Sequence, residues 1–159
     1  LAANASLHEG YLPSTTNNII RRAFKFYDSV YGWGRLQQTV DSSSFISNAY
    51  RTVGSSLPRN TDEQETSAGI HKKMGNMNSA QRANVIKGLT PGSTLHMDGH
   101  VMLYLGSSNE IPYAIHSLGS HYTGGTRHSV VKVVVSDLNL QKSNGNTYLD
   151  ELTTCLTFR

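Results

Sequence analysis

Apolar residues in the first third of the chain recur at the spacing of an amphipathic helix. Thr15 or Thr16 can cap such a helix, because a hydroxyl at this position accepts a hydrogen bond from a free N–H of the first turn. Its apolar face is predicted to hold five residues: Ile19, Ile20, Ala23, Phe24 and Tyr27. The YGWG stretch at 31–34 ends this helix. The same spacing predicts a second helix over Ser43–Val53, ended by Gly54.

The following segment predicts two more helices. Thr61 and Gln64 have the spacing of a capping box, in which a first-turn side chain and the cap residue bond each other's backbone. This pattern predicts a third helix from Thr61 through about Lys73. A short fourth helix is expected over Ser79–Lys87.

After residue 93 the pattern changes to β-rich runs separated by turn residues. Three runs are β-rich, the first with a turn expected at MDGH, and a fourth is expected to close the sheet: 94–106, 111–118, 128–138 and 148–158. The expected fold class is α+β, with N-terminal helices packed on a mostly antiparallel sheet. A length of 159 residues suits a single domain over 1–159.

Composition narrows the setting of this domain. With 37% hydrophobic and 16% charged residues and no long apolar run, the sequence predicts a soluble globular domain without a membrane span. The formal net charge of +3 would help approach to an anionic polymer such as a bacterial wall. The basic residues are scattered, which argues against nucleic acid as a partner. The single Cys155, predicted to be buried, excludes an internal disulfide but not secretion.

The sequence DSSS at 41–44 places Ser42 at or just before a helix N-terminus. Free N–H groups and the helix dipole favour negative charge there, and would lower the pKa of a thiol. A serine hydroxyl stays protonated at neutral pH and needs a neighbouring base. The simpler interpretation is that Ser42, Ser43 and Ser44 are cap residues.

Two histidines offer such a base. His100 opens one predicted strand and His116 lies in the next, so neighbouring strands can bring the imidazoles side by side as a base and its orienting partner. Each could equally be a buried histidine with a structural role. A metal site of His96, Asp98, His100 and His116 would require a shared strand face. Gly99 and the turn expected at MDGH argue against it, and we predict neither metal nor cofactor.

Six motifs in order resemble those of NlpC/P60 cell-wall peptidases, from about Tyr11 to the C-terminus. They are YGWG (31–34), DSSSF (41–45), LPRNTDEQ (57–64), LTPGSTL (89–95), GHVMLYLG (99–106) and AIHS (114–117). The sequence is most similar to the branch in which bacterial SH3-like domains precede the peptidase. By that resemblance, residues 1–13 are the remnant of a linker from an upstream domain.

The resemblance implies a papain-like fold and a secreted or envelope-associated enzyme that cleaves peptidoglycan stem peptides or released muropeptides. The implied bond is the one between D-γ-glutamate and the diamino acid. Carried onto this chain, Ser42 is the nucleophile position, His100 the general base and His116 the orienting residue. The residue 42 backbone N–H and the Tyr31 hydroxyl would bind the oxyanion.

The resemblance also implies contacts to the stem peptide from Asp41, Ser43 and Thr61. An acid at Asp41 suits the free amino group of the stem. Trp33, in a glycine-rich loop, is expected to line the groove, although it could instead be a core residue. Asp41 and Thr61 also have plain capping interpretations.

The family's nucleophile is cysteine, and this chain has Ser42. We expect an inactive form made by Cys-to-Ser substitution, because the surrounding Asp41, Ser43, His100 and His116 all persist. A natural serine in a degenerate or serine-using member is the competing hypothesis. Two other functions stay open: a non-catalytic wall-binding module, and an amidase or acyltransferase on the same scaffold.

Overall fold

The computed structural model of the protein describes residues 9–32 and 39–158. Within them the helices are α1 (Thr16–Phe24), α2 (Ser42–Arg51), α3 (Thr61–Glu65), α4 (Ser79–Lys87) and α5 (Tyr148–Glu151). The strands are β1 (Ile70–Lys73), β2 (Thr94–Met97), β3 (His100–Ser108), β4 (Ile111–Thr123), β5 (Thr126–Asp137) and β6 (Thr154–Thr157).

The six strands form one antiparallel sheet in the order β1-β6-β2-β3-β4-β5. Alternate residues of β3 face opposite sides, as the period of a strand requires. Val101 and Leu103 pack with α1 and α2, and Met102 and Tyr104 pack in a second core with α4 and α5. The α+β prediction is confirmed, and the helices cover both faces of the sheet.

The first helix is shorter than its apolar pattern predicted. Thr15 caps it by accepting a hydrogen bond from the Asn18 N–H at 3.3 Å. Ile19 and Ala23 are buried in the core, as expected. Phe24, the last residue of α1, is 46% exposed, and the prediction that it belongs to the buried face was wrong. Tyr27, also placed on that face, lies beyond the helix end and is exposed.

The predicted third helix through Lys73 was wrong, because α3 ends at Glu65 and Ile70–Lys73 forms the edge strand β1. Pairing with β6 overrides the local helical pattern there. The capping box was also assigned to the wrong residues. Asn60 is the N-cap of α3 and its N–H bonds the Glu63 carboxylate at 3.3 Å.

The last predicted strand divides into α5 and β6. Thr147 caps α5 by accepting a hydrogen bond from the Asp150 N–H, so the first residues of the predicted strand are helical instead. β6 then lies between β1 and β2, so the last strand of the chain is an interior strand of the sheet. Cys155 on β6 is fully buried, as predicted, and burial raises the pKa of its thiol to about 12. None of the helices among the described residues has the length and apolar character needed to cross a membrane.

Candidate active site

Ser42 is the first residue of α2, and it takes no part in capping the helix. Asp41 is the N-cap: its Oδ1 accepts from the Ser44 N–H at 2.9 Å, and its own N–H donates to Ser44 Oγ at 3.0 Å. Ser42 Oγ has no hydrogen-bond partner among the residues that the structure describes. The cap interpretation therefore holds for Ser44 but not for Ser42.

The position of residue 42 gives it the electrostatics of a helix N-terminus. The first N–H groups of a helix have no acceptor within it and carry a partial positive charge. Ser42 is 8% exposed, so little water competes for these groups. A negative charge on residue 42, or on a substrate oxygen beside it, would be stabilised.

His100 and His116 lie side by side, as the sequence predicted. His100 opens β3 directly after Gly99, whose φ of 71° belongs to the region that favours glycine. The register of β3 on β4 brings His100 Nε2 to 2.8 Å from His116 Nδ1. The other nitrogen of His116, Nε2, lies 3.0 Å from Ser136 Oγ on β5. His100 is thus left with one ring nitrogen, Nδ1, that has no partner among the described residues.

Both imidazoles are held in the neutral form. Burial lowers the pKa of His100 to about 4, and the charges of Lys142 and His96 contribute in the same direction. Burial, followed by the effect of His100, places the pKa of His116 well below its usual value. The Tyr148 ring packs against the pair, with its centroid 5.9 Å from that of His100 and 6.0 Å from that of His116. At pH 7 each ring is therefore neutral and has one nitrogen without a proton.

Ser42 and His100 line the same cleft, of about 240 Å³. No hydrogen bond joins Ser42 Oγ to the imidazole. A second cavity of about 230 Å³ adjoins the first, since Tyr31, Ser42 and Gly99 line both. Ser42 therefore stands between two cavities, where a chain bound across it would extend to either side.

Asp41 and Ser43 lie in the second cavity together with Arg59. The Arg59 guanidinium is paired with the Asp41 carboxylate and donates to Ser43 Oγ at 2.8 Å. Burial alone would raise the pKa of Asp41, but the Ser44 N–H and the Arg59 guanidinium outweigh it, and the pKa lies below its usual value. Thr61 lines this cavity as well. Asp41 is therefore ionised and already shares its charge with Arg59.

Tyr31 enters the cleft from the segment before α2. Its backbone N–H donates to the Val131 carbonyl at 2.9 Å, which fixes the segment on β5. The side chain lines both cavities beside Ser42. Trp33, the other aromatic residue predicted for the groove, lies outside the described residues.

The four candidate metal ligands do not share a face. β2 pairs His96 with Val101, so His96 lies on the opposite face of the sheet from His100. Its Nε2 bonds Thr94 Oγ1 at 2.9 Å, and burial lowers its pKa to about 4. No group of three or more metal-ligating side chains occurs in the described part of the chain.

Three residues of the site were not singled out in the sequence. Arg59 lies inside the LPRNTDEQ motif, where its link to Asp41 depends on tertiary structure. Ser136 is a polar residue directly after three valines on β5. This break in an apolar run was the one feature of the sequence that could have indicated a role for it. Tyr148 falls in a run predicted as strand, so its place in α5 over the histidines was hidden.

Solved structures share this fold at low identity. An NlpC/P60 endopeptidase from Photobacterium damselae subsp. piscicida matches with a TM-score of 0.72 and 18% identity, over 87% of this chain and 38% of that one. The peptidoglycan hydrolase RipB from Mycobacterium tuberculosis matches with a TM-score of 0.59 and 22% identity, over 89% of this chain and 63% of that one. This chain thus spans less than two thirds of either protein.

A third solved structure differs in its described role. RipD from Mycobacterium tuberculosis, named as a non-catalytic NlpC/p60 domain protein adapted to peptidoglycan binding, matches with a TM-score of 0.54 and 17% identity, over 89% of this chain and 95% of that one. No curated protein matches the sequence. The model of the NlpC/P60 family matches residues 28–138, more than half of the chain. The chain therefore belongs to the NlpC/P60 family, whose solved members include peptidoglycan hydrolases.

Proposed function

We propose that this chain carries the catalytic domain of a peptidoglycan endopeptidase of the cysteine-peptidase type, with serine at the nucleophile position. The observation that carries the proposal is the shared cleft of residue 42 and His100. A helix N-terminus presents the nucleophile position, and a neutral imidazole backed by a second imidazole lines the same cleft. Nucleophile, base and orienting group are the three parts that acyl transfer requires.

With a thiol at residue 42, the steps follow from this arrangement. His100 Nδ1 takes the thiol proton, and the thiolate attacks the scissile carbonyl carbon. The residue 42 N–H and the Tyr31 hydroxyl stabilise the oxyanion. His100 then protonates the departing amine as the C–N bond breaks, which leaves a thioester. Water attacks the thioester with His100 as base, and the carboxylic acid and the free thiol are released.

With Ser42, the first step lacks a ready anion. A hydroxyl is far harder to deprotonate than a thiol, and no hydrogen bond couples Ser42 Oγ to the base. We therefore propose that the serine form binds substrate and turns it over slower than the thiol form by orders of magnitude. This matches a silenced enzyme, made by Cys-to-Ser substitution, in which the rest of the site is intact.

The polar and charged side chains at the two sides of Ser42 support a stem peptide as the substrate. On one side, Asp41 with Ser43 and Thr61 offers acceptors to a free amino group. On the other side, Lys142 and Asp98 both line the first cavity, so a cation and a carboxylate are available there. A peptide that carries both amino and carboxylate groups fits a cleft lined in this way. We propose the D-γ-glutamyl to diamino acid bond as the one cleaved.

The proposed substrate sets the proposed location. Peptidoglycan lies outside the cytoplasmic membrane, so the protein would act as a secreted or envelope-associated enzyme. Residues 1–13 would join this single catalytic domain to an upstream SH3-like domain. Stem peptides or released muropeptides would be its partners, without a cofactor.

A muropeptide digest followed by mass spectrometry tests the proposal. The chain is compared with Ser42→Cys, and Ser42→Cys/His100→Ala serves as the control for a contaminating hydrolase. We expect stem fragments cut after D-glutamate from Ser42→Cys alone. Cutting by the serine form at the same rate would make Ser42 a working nucleophile. If Ser42→Cys does not cut any muropeptide, the endopeptidase proposal fails for this chain.

A wall-binding module is the second candidate, and the serine at position 42 is the observation that favours it. RipD, which shares the fold, is named as a non-catalytic protein adapted to peptidoglycan binding. Co-sedimentation with purified peptidoglycan separates the two candidates. Binding that is equal for the serine form and Ser42→Cys, with no cleavage by either, would support the binding module.

A further inference from the structure

Ser136 stands at the end of a series of three hydrogen bonds behind the proposed base. Its hydroxyl lies 2.8 Å from the Asp137 carbonyl oxygen and 3.0 Å from His116 Nε2. His116 Nδ1 in turn lies 2.8 Å from His100 Nε2. The donor and the acceptor of each hydrogen bond can be derived one after another, starting from the Asp137 carbonyl.

The Asp137 carbonyl fixes the direction of the whole series. A carbonyl oxygen can only accept, so the single proton of the Ser136 hydroxyl points to Asp137. The hydroxyl oxygen is then left to accept, and His116 Nε2 must carry a proton to donate to it. Because a neutral imidazole carries one N–H, His116 Nδ1 is the acceptor. His100 must therefore donate from Nε2.

This direction decides which nitrogen of His100 holds the lone pair. With its proton on Nε2, His100 has an unprotonated Nδ1, the nitrogen that no described residue bonds. We propose that Ser136 is a positioning residue that selects the tautomer of His116 and, through it, keeps Nδ1 of His100 free to accept a proton. This role rests on the proposed use of His100 as the base.

Loss of the Ser136 hydroxyl would remove this preference. His116 Nε2–H would then be an unpaired donor beside Tyr148, which costs the desolvation of that group. The other tautomer, with the proton on Nδ1, leaves Nε2 as an unpaired acceptor instead and donates to His100 Nε2, so both tautomers become populated. In the second of them His100 would carry its own proton on Nδ1, where it cannot act as a base. Ser136 thus acts on the base through one intervening ring.

Nitrogen-15 NMR of the imidazoles in the unaltered chain tests the assignment without any need for activity. At pH 7.5 we expect His100 and His116 each to carry the proton on Nε2. In Ser136→Ala we expect both rings to show a mixture or the Nδ1–H form, while Ser136→Thr keeps the original tautomers. His121, on the same strand as His116, is the internal control. A proton on Nδ1 of His100 in the unaltered chain would overturn the proposal.

Kinetics in the Ser42→Cys background give a second readout. We expect Ser136→Ala to lower kcat about two- to tenfold, in proportion to the lost fraction of the competent tautomer, with little change in KM, because the base and not the binding cavities is altered. Ser136→Thr should restore most of kcat. An unchanged kcat, or tautomers that are the same in Ser136→Ala, would contradict the proposed role. If Ser42→Cys proves inactive while the tautomers respond, the proposed function fails and the Ser136 assignment stands.

Discussion

The two walls of the cleft are built in different ways. On the α2 wall, the cap that positions Ser42 is made by Asp41 and Ser44, its near neighbours in the chain. On the histidine wall, His100, His116 and Ser136 come from three strands and meet through sheet register alone. The first wall is a property of a short segment, and the second exists only in the folded sheet. Chemistry at the first therefore depends on partners that the second supplies.

Removal of the base should give the largest effect, because it leaves the α2 wall without its partner. In the Ser42→Cys background we expect His100→Ala to lower kcat on the order of a thousandfold. His121→Ala, on the far part of β4, is the matched control and should keep full activity. Muropeptide release followed over time measures both. A loss below tenfold would mean that the α2 wall activates its thiol without His100.

Histidines with lowered pKa values on both faces of the sheet should also make stability depend on pH. Burial lowers the pKa of His96 to about 4 against about 6.5 in an unfolded chain, so the unfolded state binds more protons between these values. The pKa of His100 is lowered in the same direction, so protonation of His100 also reduces stability as the pH falls. The free energy of unfolding should have its highest value above pH 6.5 and should decrease by about 1–3 kcal/mol as the pH falls to 4.

Urea unfolding at pH 7.5, 6.5, 5.5 and 4.5 measures this loss. His96→Gln removes one of the groups and should flatten the slope in this range, whereas His128→Gln on the exposed part of β5 should not. Asp41, Asp150 and Glu151 have lowered pKa values, so their contributions fall away only at lower pH. Stability that stays constant from pH 6.5 to 4.5 would refute the burial of neutral imidazoles.

Among the described residues, Arg59 and Asp41 form a long-range ion pair on the α2 wall, and its removal should have a smaller effect. Arg59→Met removes the guanidinium from the buried Asp41 carboxylate and keeps its backbone donor. Because water reaches part of the guanidinium and screens the pair, we expect a cost of only about 1–2 kcal/mol at pH 7. Lys132→Met breaks the exposed pair with Asp28 and is the matched control, expected to change stability far less.

The pH dependence of this loss identifies its cause. Arg59 helps to hold the Asp41 pKa down, so the difference between Arg59→Met and the unaltered chain should shrink as the pH falls through that pKa. Urea unfolding at pH 7 and pH 3 measures it. An equal loss at both pH values would assign the effect to packing of the Arg59 side chain.

The same contrast explains what the sequence could predict. The α2 helix was predicted almost from its true start, because cap and apolar spacing are local signals. The strands carrying His100 and His116 were recognised, and the meeting of the two rings followed from adjacency of strands. The third helix failed because Ile70–Lys73 takes its conformation from β6, at the other end of the chain. Arg59, Ser136 and Tyr148 stayed hidden for the same reason, since each contributes through a partner distant in sequence.

The smallest expected effect concerns Val131, a residue of β5 with a strained backbone that contacts the segment before α2. Val131 has a φ of 55° and is 43% exposed. This conformation is costly for a β-branched side chain. The Val131 carbonyl accepts a hydrogen bond from the Tyr31 N–H. This bond lies near the register shift between β4 and β5, and it holds Tyr31 at the cleft. Asparagine tolerates this conformation better, and Val131→Asn should raise the free energy of unfolding by about 1 kcal/mol or less.

The control for this change is Val135→Asn, a partly exposed valine of the same strand with ordinary φ, which should lower stability. Chemical unfolding at pH 7.5 compares the two. In the Ser42→Cys background, Val131→Asn should leave kcat unchanged, because the backbone that holds Tyr31 is kept. A gain in stability with a fall in kcat would instead mean that the valine side chain itself sets the position of Tyr31. The oxyanion side of the cleft would then depend on the sheet as fully as the base does.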